Sequence, residues 1–262
     1  MNKFFKKIFF FILGVGKIKL TKGASILMYH SVGENQAFFT VSVKNFSKQM
    51  AYLKSSKRIV VKLTDLVEKI IKKENISGYV CLTFDDGYLD NLTHALPILK
   101  KYNFPATIFV ATNFIGGQMC NSENRSLPII SSEEIKINVS SQLEFLPHTS
   151  NHKLLNLLKS EDYNDELLSS RLKIEELTGQ KGEILAYPKG LYSKSIIEYL
   201  KSNQWRGAVT VQPGLVELKD NLFELKRNAV VSSTSLSEFK IKVSDRLKFY
   251  LKFKTCLKYF FS

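Results

Sequence analysis

Tyr79-Val80-Cys81-Leu82-Thr83-Phe84-Asp85-Asp86-Gly87 is the stretch on which the reading of this chain turns. Its apolar opening has the length and composition of a buried strand. Two adjacent carboxylates at a strand end point in different directions, so one can hold a metal ion while its neighbour takes up a proton. Gly87 lets the chain turn sharply behind them. An acidic turn without a role has the same composition, because Asp and Gly both favour turns. A second stretch, His148-Thr149-Ser150-Asn151-His152, tips the balance towards chemistry. Two His four residues apart lie one above the other on a helical turn, where both can reach one ion.

Outward from Asp85-Asp86, strands alternate with helices. Ala24–Tyr29 reads as the first core strand and ends at His30. Val43–Lys54 has helical spacing, with Phe46, Met50 and Leu53 on one face. A short strand over Arg58–Leu63 precedes a helix from Thr64 to Ile71. Asn91–Tyr102 reads as one helix kinked by Pro97. Further strands are expected at Ala106–Val110, Leu143–Leu146, Glu183–Tyr187 and Gly207–Val211, with helices at Tyr163–Thr178, closed by Gly179, and Ser193–Ser202. Gly116–Ser132 reads as a loop able to line a cleft, with Asn121–Arg125 solvated. This alternation predicts an α/β fold, a parallel sheet closed or nearly closed into a barrel. Chemistry in such barrels gathers at the C-terminal strand ends. His30, Asp85, Asp86, His148 and Pro188 all fall there.

Its 262 residues suit one large domain with an ample core. Six lysines in residues 1–22 and five basic residues in 246–262 supply eleven of the net +14, with no acid in either segment. The middle is nearly balanced, so no nucleic-acid-binding face is implied. Cys81, Cys120 and Cys256 form neither a disulfide framework nor a metal pair. Cys81 reads as core. The apolar run Ile8–Gly16 behind Lys3, Lys6 and Lys7 is too short to span a bilayer, and fits a membrane-surface anchor or an uncleaved signal. Near the other end, Phe249, Phe253, Cys256, Leu257 and Phe260 fall largely on one side of a helix, interleaved with lysines. Both ends therefore suit an anionic membrane surface, on the cytoplasmic face or in the cell envelope. A terminal helix packed on the barrel reads equally well. The expected division is a basic apolar segment at 1–22, one catalytic domain at 23–235 and a basic aromatic segment at 236–262.

Leu82–Tyr88, Pro97–Tyr102 and Phe104–Val110 together resemble the polysaccharide deacetylase family, the NodB-homology domain. Met28-Tyr29-His30-Ser31-Val32, His148–His152 and Ala186-Tyr187-Pro188-Lys189-Gly190 match in order and spacing, so that the resemblance covers about residues 24–230. It implies a distorted (β/α) barrel and a metal-dependent hydrolase that removes N-acetyl groups from the amino sugars of a polysaccharide or lipid-linked glycan. Asp86, His148 and His152 then resemble the ligands of a divalent metal, zinc being the expected ion, and Asp85 the general base. The turn of Tyr187, Pro188, Lys189 and Gly190 resembles the lining of the acetyl pocket, with the Lys189 N–H as oxyanion donor.

Two departures stand out. Many members carry Arg at the position of Ala186, where it orients the catalytic Asp; Arg227 resembles a later Arg that some members use instead. Many also carry a late catalytic His, and no His follows His152. In the branch resembling exopolysaccharide N-deacetylases an early Tyr-His motif supplies it, which makes His30 the candidate acid. His94 reads as structural. Trp205 and Tyr192 could stack on sugar rings, with core packing the competing reading for Trp205. The competing functions are a deformylase or O-acetyl esterase using the same site, and a catalytically silent carbohydrate-binding domain.

Overall fold

The structure is a computed structural model that describes residues 22–120 and 125–260, with side chains described as far as residue 253. In chain order the elements are β1 (Ser25–Tyr29), β2 (Ser31–Val32), β3 (Thr40–Val41), α1 (Val43–Ser55), β4 (Ile59–Val61), α2 (Leu63–Ile71), β5 (Tyr79–Phe84), α3 (Leu96–Tyr102), β6 (Ala106–Val110), β7 (Gln118–Cys120), β8 (Ser126–Pro128), α4 (Ser132–Asn138), β9 (Leu143–Pro147), α5 (Ser169–Thr178), β10 (Ile184–Ala186), α6 (Lys194–Ser202), β11 (Gly207–Val209), β12 (Asn228–Ala229), α7 (Leu236–Lys242) and α8 (Arg246–Phe260).

The central sheet runs β12-β1-β5-β6-β9, every pair parallel. β4 shares one edge of β5 with β6 by pairing with its first half. β1, β6 and β9 are buried along their whole length, as expected of strands covered on both faces. β10 and β11 form a separate parallel pair. Val209 then bridges to Leu225, whose chain runs directly into β12. The strands therefore follow one another around a barrel whose hydrogen-bond ladder is interrupted between β9 and β10 among the described residues. This is the nearly closed barrel expected from the alternation of elements, distorted as the family resemblance implies.

The helices follow their apolar spacing. On α1, Phe46, Met50 and Leu53 are buried, and Ser42 caps the first turn by accepting from the Asn45 N–H. The N-terminus of α2 is capped from a distance. The buried carboxylate of Glu144, on β9, accepts from the N–H groups of Leu63 and Thr64 and from the Thr64 and Thr107 hydroxyls. Pro97 does not kink a helix interior. A wide turn over Asn91–Ala95, with the Leu96 N–H reaching back to Asn91 O, precedes α3, and Pro97 lies in the first turn of α3, where a missing N–H is harmless. A similar wide turn over Asn164–Leu168 opens the expected Tyr163–Thr178 helix, which ends at Gly179 with φ +66°. The Gly116–Ser132 segment is not all loop, because it holds the hairpin of β7 and β8.

Beyond residue 235 the chain is anchored to the body. Phe239 and Val243 join the main core, and Leu247 and Tyr250 pack with Leu215 and Ile241. Phe249 is 72% exposed. The N-terminal segment lies outside the described residues. No helix among them is long and apolar enough to cross a membrane.

Candidate active site

His30, Asp85, Asp86, His148, His152 and Lys189 line one cleft of about 410 Å³. Each follows the C-terminal end of a strand: β1, β5, β9 or β10. Parallel strands bring these ends to one rim, which is why residues more than a hundred positions apart in sequence converge.

The two carboxylates diverge as the sequence requires. Asp85 still extends the sheet, its N–H donating to Tyr29 O at 3.0 Å. Asp86 and Gly87 then take φ of +73° and +78° and throw the chain upward. Asp85 is gripped by Arg227, whose Nη1 and Nη2 donate to the two carboxylate oxygens at 2.6 and 2.7 Å. Arg227 is itself fully buried. Three further contacts fix it: its Nε donates to Thr210 O at 2.9 Å, its Nη1 to Thr83 Oγ1 at 3.2 Å, and its guanidinium lies 5.6 Å from the Phe109 ring. It does not line the cleft, and it meets the site through Asp85. Burial pushes the Asp85 carboxyl up, but Arg227 and then His148 outweigh it and hold the group well below the usual carboxylate range. A lowered carboxyl stabilises the fold at neutral pH, and that contribution is lost only on strong acidification.

Asp86, His148 and His152 offer three ligand atoms within 4.8 Å of one another. Nε2 of each His lies 3.5 Å from Asp86 Oδ1. That oxygen is buried and has no hydrogen-bond partner. Nδ1 of His148 lies 2.8 Å from Ala186 O, across the gap between β9 and β10, and as donor there it leaves Nε2 bare towards the same point. Burial pushes the His148 pKa down to about 4, against the pull of Asp85, so the ring is neutral at neutral pH, the form that can bind a metal ion. An orphaned carboxylate oxygen facing two imidazole nitrogens is the donor set of a divalent ion with an open position.

The two His do not converge by a helical turn. Thr149 and His152 both take positive φ, +65° and +54°, and the loop between them is held from outside. Left-handed backbone is costly for a β-branched residue such as Thr149 and persists only where the surroundings enforce it. Here the Thr112 and Asn113 N–H groups donate to Thr149 O and Ser150 O, and the buried carboxylate of Glu166 accepts from the Asn151 N–H and Nδ2 at 2.9 and 2.8 Å. Sequence reasoning passed over Glu166. Its signal was one acid within an amphipathic helix, indistinguishable from a solvated charge.

Of the turn expected to line the acetyl pocket, only Lys189 faces the cleft. Tyr187 is buried, donates to Phe223 O and stacks on Tyr192 at 4.5 Å. Pro188 is buried, and Gly190 must be glycine, since a Cβ would stand 2.5 Å from Val211 Cγ2 at φ +69°. Lys189 keeps φ +53°. The rings proposed as sugar platforms are elsewhere engaged: Trp205 is core, and the Tyr192 hydroxyl donates to Glu224. His94 is structural, its Nδ1 2.9 Å from Val32 O. His30 opens onto the cleft, its carbonyl held by Asn91 Nδ2 at 2.7 Å and its ring 5.6 Å from that of Phe39. Tyr88, also passed over, is buried beside Asp86, and burial together with that carboxylate raises its hydroxyl pKa far above the ordinary value.

Residues 72–208 match the polysaccharide deacetylase family, more than half of the chain. The chain belongs to the polysaccharide deacetylase family. The Bacillus subtilis protein YxkH is 30% identical over 226 residues, 85% of this chain and 77% of that one. The poly-β-1,6-N-acetyl-D-glucosamine N-deacetylase of Staphylococcus epidermidis is 27% identical over 216 residues, 79% of this chain and 73% of that one. The structure of IcaB from Ammonifex degensii superposes with a TM-score of 0.75 at 23% identity, over 85% of this chain and 97% of that one, which shows the shared fold. Polysaccharide deacetylases are metal-dependent hydrolases of N-acetyl groups, and this chain is an enzyme of that class.

Proposed function

We propose that this polysaccharide deacetylase hydrolyses the acetamido groups of a poly-N-acetylglucosamine-type glycan, with zinc held by Asp86, His148 and His152. The observation that carries the reading is the orphaned Asp86 oxygen facing two imidazole nitrogens, one residue away from a carboxylate fixed by Arg227. A poly-N-acetylglucosamine substrate is the one named for the staphylococcal relative.

A divalent ion at this site supplies Lewis-acid polarisation of the amide carbonyl and lowers the pKa of a water molecule. Asp85 takes the proton of the attacking water. Arg227 keeps Asp85 ionised and fixes its direction. The Lys189 N–H serves as oxyanion donor. The amine leaves only when its nitrogen gains a proton, and we assign that donation to His30, which lines the cleft. Water and amide are thereby converted to acetate and a free sugar amine.

Acetate release from β-1,6- and β-1,4-linked N-acetylglucosamine oligomers and an O-acetylated glycan, with formate release from an N-formylated sugar, tests this reading. Release from the N-acetylated oligomers should exceed the others. Preference for the ester or the formamide replaces the assignment, and release from none of the four substrates removes it.

The acid role has its own signature. A proton donor is lost as pH rises, so His30→Ala should lower kcat and abolish the alkaline limb of the pH–rate profile, with metal content retained. An unchanged profile would return His30 to a structural role.

We propose also that the enzyme works at an anionic membrane surface. Phe249 and Phe253 are exposed on α8, among lysines whose stems can lie along an apolar surface. Each basic residue near such a surface contributes roughly 1 kcal/mol. The full chain should float with anionic but not neutral vesicles, and Phe249→Ser with Phe253→Ser should reduce flotation. Equal flotation by that variant contradicts the proposal.

A further inference from the structure

We infer that Phe38 is a specificity-determining residue, a platform for the sugar next to the one that is deacetylated. The inference rests on the glycan reading above and adds to it a neighbouring-sugar requirement.

Among the described residues, the exposed large hydrophobic side chains that line the cleft are Phe38, 54% exposed, and Val211, 39% exposed. An aromatic ring exposed in a groove offers a ligand an apolar face to pack on. Phe38 is not a loosely placed loop residue. Its carbonyl accepts from both the N–H and the hydroxyl of Ser232, at 3.0 and 2.8 Å, which ties the loop after β2 to the chain leaving β12. The ring is thus presented to solvent by a fixed backbone.

The platform also has a direction. The Phe38 ring stands at 82° to Phe39, 5.4 Å away, so that at least one of its faces is not covered by that neighbour. Phe39 stacks on Tyr88 at 5.7 Å and lies 5.6 Å from His30. This aromatic wall begins at the group that protonates the leaving nitrogen and runs outward to the rim. The sugar that carries the nitrogen occupies the inner end, beside His30 and Phe39. A ring lying on Phe38 is therefore the next sugar along the chain. The C–H face of a pyranose is apolar, and stacking it on Phe38 removes both surfaces from water.

Two measurements on the full-length, zinc-loaded enzyme test this. The first is kcat/KM for acetate release from β-1,6-linked N-acetylglucosamine of one and of five units. The second is calorimetric binding of β-1,6-linked glucose oligomers, which have the same apolar face and no amide to hydrolyse. Phe38→Ala should cut the five-to-one ratio of kcat/KM by about tenfold, through KM, and weaken the glucose pentamer similarly, as loss of roughly 1.4 kcal/mol of stacking requires. Phe38→Trp should restore both. Thermal stability and zinc content measured alongside separate this from misfolding, which lowers kcat and zinc together. An unchanged ratio in an active Phe38→Ala enzyme overturns the platform and leaves the deacetylase reading intact. Pentamer binding that depends on Phe38 without any acetate release overturns the deacetylase reading and supports the platform. Absence of both binding and release overturns both.

Discussion

Asp86→Ala and His148→Ala are each expected to give a folded protein that has lost bound metal and acetate release together. Asp86 Oδ1 has no hydrogen-bond partner in the protein, so the change gives up the side-chain bond between Tyr88 and this carboxylate but relieves the desolvation of a buried charge. His148→Ala leaves Ala186 O without its imidazole partner, at a cost of about 1–3 kcal/mol, which a domain of this size can absorb. Neither change touches the Arg227–Asp85 pair. With one of three ligands gone, affinity should fall beyond the range in which the ion survives dialysis. Elemental analysis of each purified variant is the check. Stoichiometric metal in either would refute the ligand assignment, whatever the activity.

Asp85→Asn is expected to keep its metal and lose turnover by on the order of 10²-fold or more, as for removal of a general base. It should also be less stable, because Arg227 would be left as a fully buried cation facing an amide that can accept from only one of its two donors. Breaking one side of a buried pair costs roughly 3–5 kcal/mol. Pairing Asp85→Asn with Arg227→Met removes the stranded charge. The double variant should regain stability in a thermal melt but no turnover. That split separates the two duties of the pair, since a purely structural ion pair would let activity return with stability. Near-wild-type turnover in Asp85→Asn would end the base assignment.

The elements that could be read from sequence are those whose pattern is local. β5 is a run of β-formers ending in Asp-Asp-Gly, and α1 shows Phe46, Met50 and Leu53 at helical spacing. His148 and His152 were legible as a pair, but the manner of their convergence was not. Thr149 at φ +65° is a conformation that Thr disfavours, imposed by Glu166 and by the chain after β6. No local preference announces it. β12 has two residues, too few for any periodicity, yet it pairs with β1 and delivers the preceding Arg227 to Asp85. Arg227 itself was found only through the family resemblance, because an arginine near the end of a basic chain reads as surface. The platform was sought at Trp205 and Tyr192, since both types stack well, and the core had already claimed Trp205. Exposure of Phe38 could not be read from its neighbours, Ala37 and Phe39, which are both buried.

Zinc titration of the metal-free, full-length protein, with acetate release from β-1,6-linked N-acetylglucosamine oligomers followed at each addition, tests the central claim most directly. The account predicts release that rises in proportion to added zinc and levels off at about one ion per chain, as a single Asp-His-His site requires. Release that is undiminished in the metal-free protein, or absent at every stoichiometry, would contradict it.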